Sequence, residues 1–505
     1  MLGWLLLSTC LVLLAWLFRF RKLSSHHYPP GPVPLPVLGN LLNVPTKQQW
    51  KTYARWESVY GDVISVTILG QRVVILNSLE ATLDLLEKRS AIYADRPPMF
   101  MVCELLGWAQ QLVFAPYGEH FRNMRKLLHK HLGGKGQLEK MEPYHELIEA
   151  ASAGFLVRTL RDGSEFHRLH HNVHKTSGAV TLQIGYGYDV KEGHDELVQM
   201  MDDALLGFDA AAVPGTFLVD TIPALKWVPE WFPGAAWKRR ARKWRRLFVQ
   251  MTETPYAMAK EQSSQGTGRD NIVSENLQEE MTPQYEYDLK MAVASLYGGG
   301  TDTTVAIIMS FILAMTLYPE AQKRAQQEIA DVVGGDRLPL IRDREQLPYV
   351  QALISEVLRW NPIVPLGIPH RTTDDDIYRG YFIPKGSTIV VNMWHLHQDP
   401  NRYPEPETFN PERFLGPHPQ PDIRAFLFGF GRRICPGLNL AEASIFASAA
   451  RILAVFDIEK VVENGEVITP DFAFGTGAVS HPLPFKCSIK PRSKQAEALI
   501  LGECK

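Results

Sequence analysis

The chain has 505 residues, 45% hydrophobic and 21% charged, with a formal net charge of −2. That is enough apolar chain for a large buried core, and the near-neutral balance argues against a general nucleic-acid binder. Five cysteines, at positions 10, 103, 435, 487 and 504, are odd in number and widely scattered. Neither a disulfide framework nor a zinc spacing is predicted, and a reducing compartment fits best.

Residues 1–18, MLGWLLLSTCLVLLAWLF, are almost wholly apolar. No basic residue precedes the run, Arg19, Arg21 and Lys22 follow it, and no small-residue cleavage site is present. A cleaved secretory signal has the opposite pattern. The run is short for an average bilayer but suits the thin endoplasmic reticulum membrane. Basic flanks stay on the cytosolic side, so 1–18 is predicted to be a single-pass anchor with the body in the cytosol. Residues 19–40 begin basic and become proline-rich from Tyr28 to Pro36, which reads as a stiff hinge. No later break of this kind follows, so one large domain over 41–505 is predicted.

Val63–Thr67 and Arg72–Leu76 are β-rich on either side of Gly70-Gln71 and predict a hairpin. Helical periodicity follows over 121–131, 144–160, 289–317 and 319–333. On the first of these, Arg122, Lys126 and Lys130 recur every four residues and form one basic stripe. His167, His170, His171 and His174 also recur at helical spacing, near Glu165. Histidines one turn apart can bind zinc, but a polar helix face is the reading taken here. The stretch 227–246, WVPEWFPGAAWKRRARKWRR, is dense in aromatic and basic residues. It reads as a membrane-facing loop before a basic helix, with Trp231, Phe232 and Trp237 at the interface.

The long helix over 289–317 is predicted to be interrupted at Gly298-Gly299-Gly300, followed by Thr301-Asp302-Thr303-Thr304. Three glycines cost a helix about 3 kcal/mol relative to alanine, so the site must gain something from missing side chains. They leave a groove where a flat cofactor or a diatomic molecule can approach the backbone. Asp302 and Thr303 can widen the helix there and pass protons. Glu356 and Arg359 share a helix face at i and i+3 within 350–360. A second β-rich patch spans 377–392, broken at Arg379-Gly380 and Pro384-Lys385-Gly386. Cys435 sits in Phe428-Gly429-Phe430-Gly431-Arg432-Arg433-Ile434-Cys435-Pro436-Gly437, and an apolar helix over 438–456 follows. A buried structural cysteine needs neither the glycines nor the arginines. A thiolate held under a metal uses both, because backbone N–H groups and positive charge favour anionic sulfur.

The spacing Phe428-x-x-Gly431-x-Arg433-x-Cys435-x-Gly437 resembles the haem-binding loop of the cytochrome P450 family. The other motifs fall in that family's order. The resemblance implies a mainly α fold with a minor β part, and makes 41–505 a haem-binding catalytic domain. It implies haem b (Fe-protoporphyrin IX) ligated by Cys435, whose thiolate pushes electron density toward oxygen and favours O–O cleavage. Gly299 would lie over the haem. Thr303 would hydrogen-bond dioxygen at the iron, and Asp302 would relay protons inward. Glu356 and Arg359 match a buried Glu-x-x-Arg pair, with Arg413 of Phe409-Asn410-Pro411-Glu412-Arg413-Phe414 as third member. Phe121 and Arg125 match a Trp-x-x-x-Arg helix, with phenylalanine where the family usually has tryptophan. The indole donor is then missing, and His120 or a water is expected in its place. Arg125, Arg433 and either His370 or Arg371 are the candidates for the haem carboxylates.

The implied reaction is monooxygenation of a small, mostly apolar molecule, a terpenoid or other secondary metabolite, as in fungal microsomal members. Electrons would come from NADPH through NADPH-cytochrome P450 reductase docked on Arg122, Lys126 and Lys130. Pocket candidates are 100–114, Leu296, Gly299, 364–368 and 476–479, and they are largely apolar. A haem-thiolate isomerase or peroxide-dependent enzyme needing no reductase is the alternative enzyme. A haem sensor or carrier is the non-catalytic one. Asp302-Thr303 and the basic stripe argue against the alternative enzyme.

Overall fold

The computed structural model describes residues 27–212 and 216–502. The expected anchor, 1–18, and the basic start of the hinge, 19–26, lie outside the described residues. The chain divides into two compact units. The first takes the N-terminal segment up to Pro97 together with Pro365–Leu396 and Gly429–Arg433; the second takes Pro98–Val364, His397–Phe428 and Ile434–Lys505.

The first unit holds helix α1 (Gln49–Tyr60) and a four-stranded sheet. Strands β1 (Val63–Ile68) and β2 (Gln71–Leu76) pair antiparallel from Val63 opposite Leu76 to Ile68 opposite Gln71. The predicted hairpin is therefore present and one residue longer on each side. Its turn is Leu69-Gly70, with φ of 47° and 86°, the positive pair that matches strand twist in a two-residue loop. Strand β3 (His370–Arg371) is followed by a small hairpin of β4 (Asp376–Tyr378) and β5 (Tyr381–Ile383), and then by β6 (Thr388–Val391). The sheet order is β1-β2-β6-β3, with β2 and β6 parallel. The turns fall where the glycines predict them, at Arg379-Gly380 and Gly386. Tyr53 of α1 packs with Ile64, Val66 and Ile75 as the core of this unit. The proline-rich segment runs beside β1: Ser65 donates from its N–H to Pro30 O at 2.8 Å and from its hydroxyl to Pro29 O at 2.7 Å.

The second unit is mainly helical. Its principal helices are α2 (Glu119–Leu132), α3 (His145–Asp162), α4 (Phe166–Tyr186), α5 (Glu196–Ala212), α6 (Ala236–Gln265), α7 (Pro283–Leu317), α8 (Pro319–Val332), α9 (Pro348–Trp360) and α10 (Leu438–Val455). Two short antiparallel pairs accompany them: β7 (Phe456–Glu459) with β10 (Ser488–Pro491), and β8 (Val461–Glu463) with β9 (Glu466–Ile468). Helix α7 starts where its sequence dictates. The Thr282 side chain accepts from Tyr285 N–H at 3.2 Å, and Pro283 takes the first helical position. Helices α7 and α10 are long and apolar enough to cross a membrane, but each is mostly buried and serves as core.

The expected break in α7 does not occur. The glycine run neither interrupts nor widens α7, which is regular α-helix throughout 283–317. The reason is packing. Helix α4 lies so close that a Cβ on Gly300 would stand 2.9 Å from Thr181 Cγ2, and the Thr181 and Thr301 hydroxyls meet at 3.3 Å. Burial against α4 offsets the propensity lost to glycine.

Candidate active site

The cysteine loop is built by local geometry. Cys435 N–H donates to Phe428 O at 2.8 Å, which closes the loop on itself. Gly431 has φ of 52° and lies so near Leu86 O that a Cβ would stand 2.3 Å from it, so only glycine fits. Burial pushes the Cys435 thiol above its ordinary value, while the Gly437 N–H and the Arg125 guanidinium pull it back down. Arg125 projects from α2 and donates to Ile434 O, beside the cysteine. Its neighbour Phe121 is buried, with its ring 5.4 Å from that of Tyr117. His120 is not free to replace the missing indole. Its Nδ1 is 2.5 Å from Asp288 Oδ1 and its Nε2 is 3.0 Å from Gln110 O. Nδ1 serves the joint between α2 and α7 and Nε2 the segment before α2, so His120 does not take the place of the indole.

In the first unit, Arg433 is buried and donates from Nε to Ala94 O at 2.6 Å. His370 on β3 meets Tyr93 O through Nδ1 at 2.8 Å. Burial, with Arg96 and Arg433 nearby, lowers His370 to about 3, so it is a neutral ring at physiological pH. Arg371, its neighbour on β3, has a buried Nε with no hydrogen-bond partner among the described residues. Arg96 was missed in reading the sequence. It donates to Ile368 O and Pro369 O, both at 2.8 Å, and so holds the segment leading into β3. The Arg96-Pro97 pair is too short a pattern to have been noticed.

On α7 the accessible face is narrow. Gly299 is exposed and has open space where a Cβ would stand, although the helix around it is buried. Asp302 and Thr303 follow on that face at i+3 and i+4 and are half-buried. Thr303 donates its hydroxyl to Gly299 O at 2.8 Å, which leaves the oxygen lone pairs available. Asp302 faces His481, a residue that no local signal points to. Over this part of α7 sit apolar rings: Trp108 lies 3.6 Å from the Gly298 Cβ position and 4.6 Å, centroid to centroid, from Phe208, with Phe114 and Phe248 adjoining.

The Glu-x-x-Arg pair is buried to 0% exposure on both sides. Arg359 grips Glu356 with two bonds, Nε to Oε2 at 2.7 Å and Nη2 to Oε1 at 2.8 Å. Arg413 adds Nε to Oε1 at 3.1 Å. The surplus donors go to backbone carbonyls, among them Pro406 O from Arg359 and Thr408 O from Arg413. Arg122, Lys126 and Lys130 are exposed on α2, opposite its buried Phe121, Met124 and Leu128. Of the aromatic residues expected at a membrane surface, Trp231 and Phe232 are exposed, whereas Trp237 is half-buried at the start of α6.

Comparison with known proteins adds the decisive observation. Residues 29–489 match the family described as cytochrome P450. The chain belongs to the cytochrome P450 family. It is similar to cytochrome P450 monooxygenase 208 of Postia placenta, 46% identical over 97% of this chain and 95% of that one. It is also similar to cytochrome P450 monooxygenase claR of Ampulloclitocybe clavipes, at 42% over 94% and 88%, and to cytochrome P450 monooxygenase ppsD of Aspergillus oryzae, at 38% over 97% and 93%. This P450 is therefore a haem-thiolate monooxygenase with haem b as cofactor.

The residues present fit that group. A lone thiol lies between a glycine N–H and a guanidinium, as an anionic sulfur ligand requires. The exposed Gly299 presents a side-chain-free stretch of helix to a flat molecule.

Proposed function

We propose that Cys435 ligates the haem iron of a membrane-bound P450 that oxidises a small, mostly apolar secondary metabolite, a terpenoid or similar skeleton. When bound, the haem supplies the activation of dioxygen that lets one oxygen atom enter a C–H bond. The chain's own residues bind, orient and move protons. Arg125, Arg433 and either His370 or Arg371 hold the haem carboxylates, guanidinium forks being suited to them. Phe428, Gly437, Phe121 and Gly299 shape its faces. The Thr303 hydroxyl oxygen accepts a hydrogen bond on the open face of α7, and the Asp302 carboxylate passes protons toward it. The rings of Trp108, Phe114, Phe208 and Phe248 support an apolar substrate, because they exclude water and offer few polar contacts.

Electrons come from NADPH through cytochrome P450 reductase, which docks on Arg122, Lys126 and Lys130. Residues 1–18 anchor the chain once in the endoplasmic reticulum membrane, 19–40 form the hinge, and the catalytic domain over 41–505 is cytosolic. Exposed Leu218, Ile222, Trp227 and Trp231, next to the bases at the start of α6, support contact with that membrane.

The observation that carries the reading is the face formed by exposed Gly299 and half-buried Asp302 and Thr303 on a mostly buried helix. The experiment is a carbon monoxide difference spectrum of the reduced full-length protein, followed by NADPH-dependent oxygen uptake with reductase. The long-wavelength band of a thiolate-ligated haem should be present in the wild type and absent in Cys435→Ser. Its absence in the wild type removes the ligand assignment. Spectral shifts on a panel of terpenoid and aromatic compounds then identify the substrate class.

A further inference from the structure

Asp302 has a partner that the reading above does not use. His481, in the segment between β9 and β10, places Nε2 3.0 Å from Asp302 Oδ1, and both side chains are 26% exposed. The other ring nitrogen, Nδ1, is buried and has no hydrogen-bond partner among the described residues. Two histidines of α4 stand nearby. The His170 ring is 5.8 Å from that of His481. His174 Nε2 is 3.5 Å from Asp202 Oδ1 on α5, and Asp202 in turn accepts from the Tyr297 hydroxyl at 2.7 Å. His167 and His171 are exposed on α4, as are Asp203 and Asp209 on α5.

A single carboxylate on a helix face rotates freely and, in a low-dielectric site, takes up a proton and ceases to be a proton acceptor. An imidazolium against one of its oxygens stops both. We propose that His481 is a positioning residue for Asp302: its imidazolium fixes the orientation and charge of that carboxylate, so that proton delivery along α7 depends on the protonation of a histidine. This inference rests on the reading of Asp302 as a proton relay.

The surroundings agree with the geometry. Burial pulls His481 down, but its bond to Asp302, with the charges of Asp302 and Asp209, lifts it above its ordinary value. Burial pushes Asp302 up, and His481, His174 and His170 bring it below the ordinary carboxylate value. Burial lowers His170 to about 4, assisted by His481 and His174, so the neighbouring ring is neutral and does not compete for the carboxylate. Histidine, unlike lysine or arginine, loses its charge within the physiological range, which makes the latch sensitive to pH.

The test compares full-length, haem-loaded wild type with Asp302→Asn, His481→Gln and His481→Lys. With a fungal P450 reductase and no added substrate, NADPH oxidation is followed from pH 6 to 9. At pH 6, Asp302→Asn and His481→Gln should be slower by about tenfold, the scale of one lost charge-assisted hydrogen bond. The wild-type rate should fall as pH rises. His481→Lys, which keeps its charge, should hold the low-pH rate across the range. A merely structural histidine would not give that contrast.

Independently of turnover, the His481 ring resonance in the ferrous carbonyl form, assigned by its loss in His481→Gln, should titrate above 6.5 in the wild type and lower in Asp302→Asn. Equal midpoints overturn the pairing. A slow Asp302→Asn beside a His481→Gln at wild-type rate overturns the inference alone. A wild-type rate in Asp302→Asn removes the relay reading, and the inference with it.

Discussion

At Glu356, one buried carboxylate answers two guanidinium groups. Glu356→Ala leaves two buried cations whose remaining partners are carbonyls, a loss of about 3–5 kcal/mol. Expression of this variant should yield protein with little haem, measured as the ratio of haem to polypeptide; a normal ratio removes the assignment of this triad to the core. The pair of Asp302 with His481 is more exposed and its effect is one of pH. His481 is raised above its ordinary 6.5, so its contribution to stability is full below that value and is lost as pH rises through the raised one. Asp302 is depressed below its ordinary 3.8, so its contribution is full above that value and is lost as pH falls through the depressed one. The gap in melting temperature between wild type and His481→Gln should therefore be largest between 3.8 and 6.5 and shrink toward pH 9. A gap that grows with pH contradicts the sign of both shifts.

The element that matters most is α7, and its glycines are not equivalent. Gly299 opens on space, whereas Gly300 faces Thr181 at 2.9 Å. Gly299→Ala gains about 1 kcal/mol of helix propensity but puts a methyl on the face proposed to lie over the haem, so it should lower the ratio of haem to polypeptide. Gly300→Ala gains the same on the helix but must push α4 away, an overpacking cost of about 1–3 kcal/mol that reverses the sign. Thermal unfolding of the two variants checks this, and a stabilised Gly300→Ala refutes the packing account. The three-glycine motif and the length of α7 were readable along the chain, because periodicity and composition are local. That the helix would stay regular was not. That outcome depends on α4, whose Gly178, Thr181 and Gly185 come from another stretch of sequence. The same limit applied to His120: its position one residue from Phe121 made it a natural stand-in, but Asp288 on α7 engages it first.

For the molecule as a whole, function is proposed to depend on a surface as well as a centre. Arg122, Lys126 and Lys130 are exposed in one row on α2. If they steer an acidic reductase, reduction rates should fall as salt rises toward the screening range. Replacing all three with glutamate should raise the apparent KM for reductase about tenfold and flatten the salt dependence, since steering raises association rates by that order or more. An unchanged salt slope in the triple variant separates the stripe from docking.

Read along the chain, the haem loop, the glycine-notched helix, the Glu-x-x-Arg pair and the hairpin of β1 and β2 are each stated by a few neighbouring residues, because turn chemistry, periodicity and ligand spacing act over short distances. The partners of those residues are not. His481 beside Asp302 and Arg96 near His370 come from segments far apart in sequence, and only packing brings them together; Arg413 beside Glu356 was expected through the family resemblance alone. Cys435 names the chemistry within ten residues. Which proton reaches it, and what holds the relay in place, waits on contacts that exist only in the folded chain.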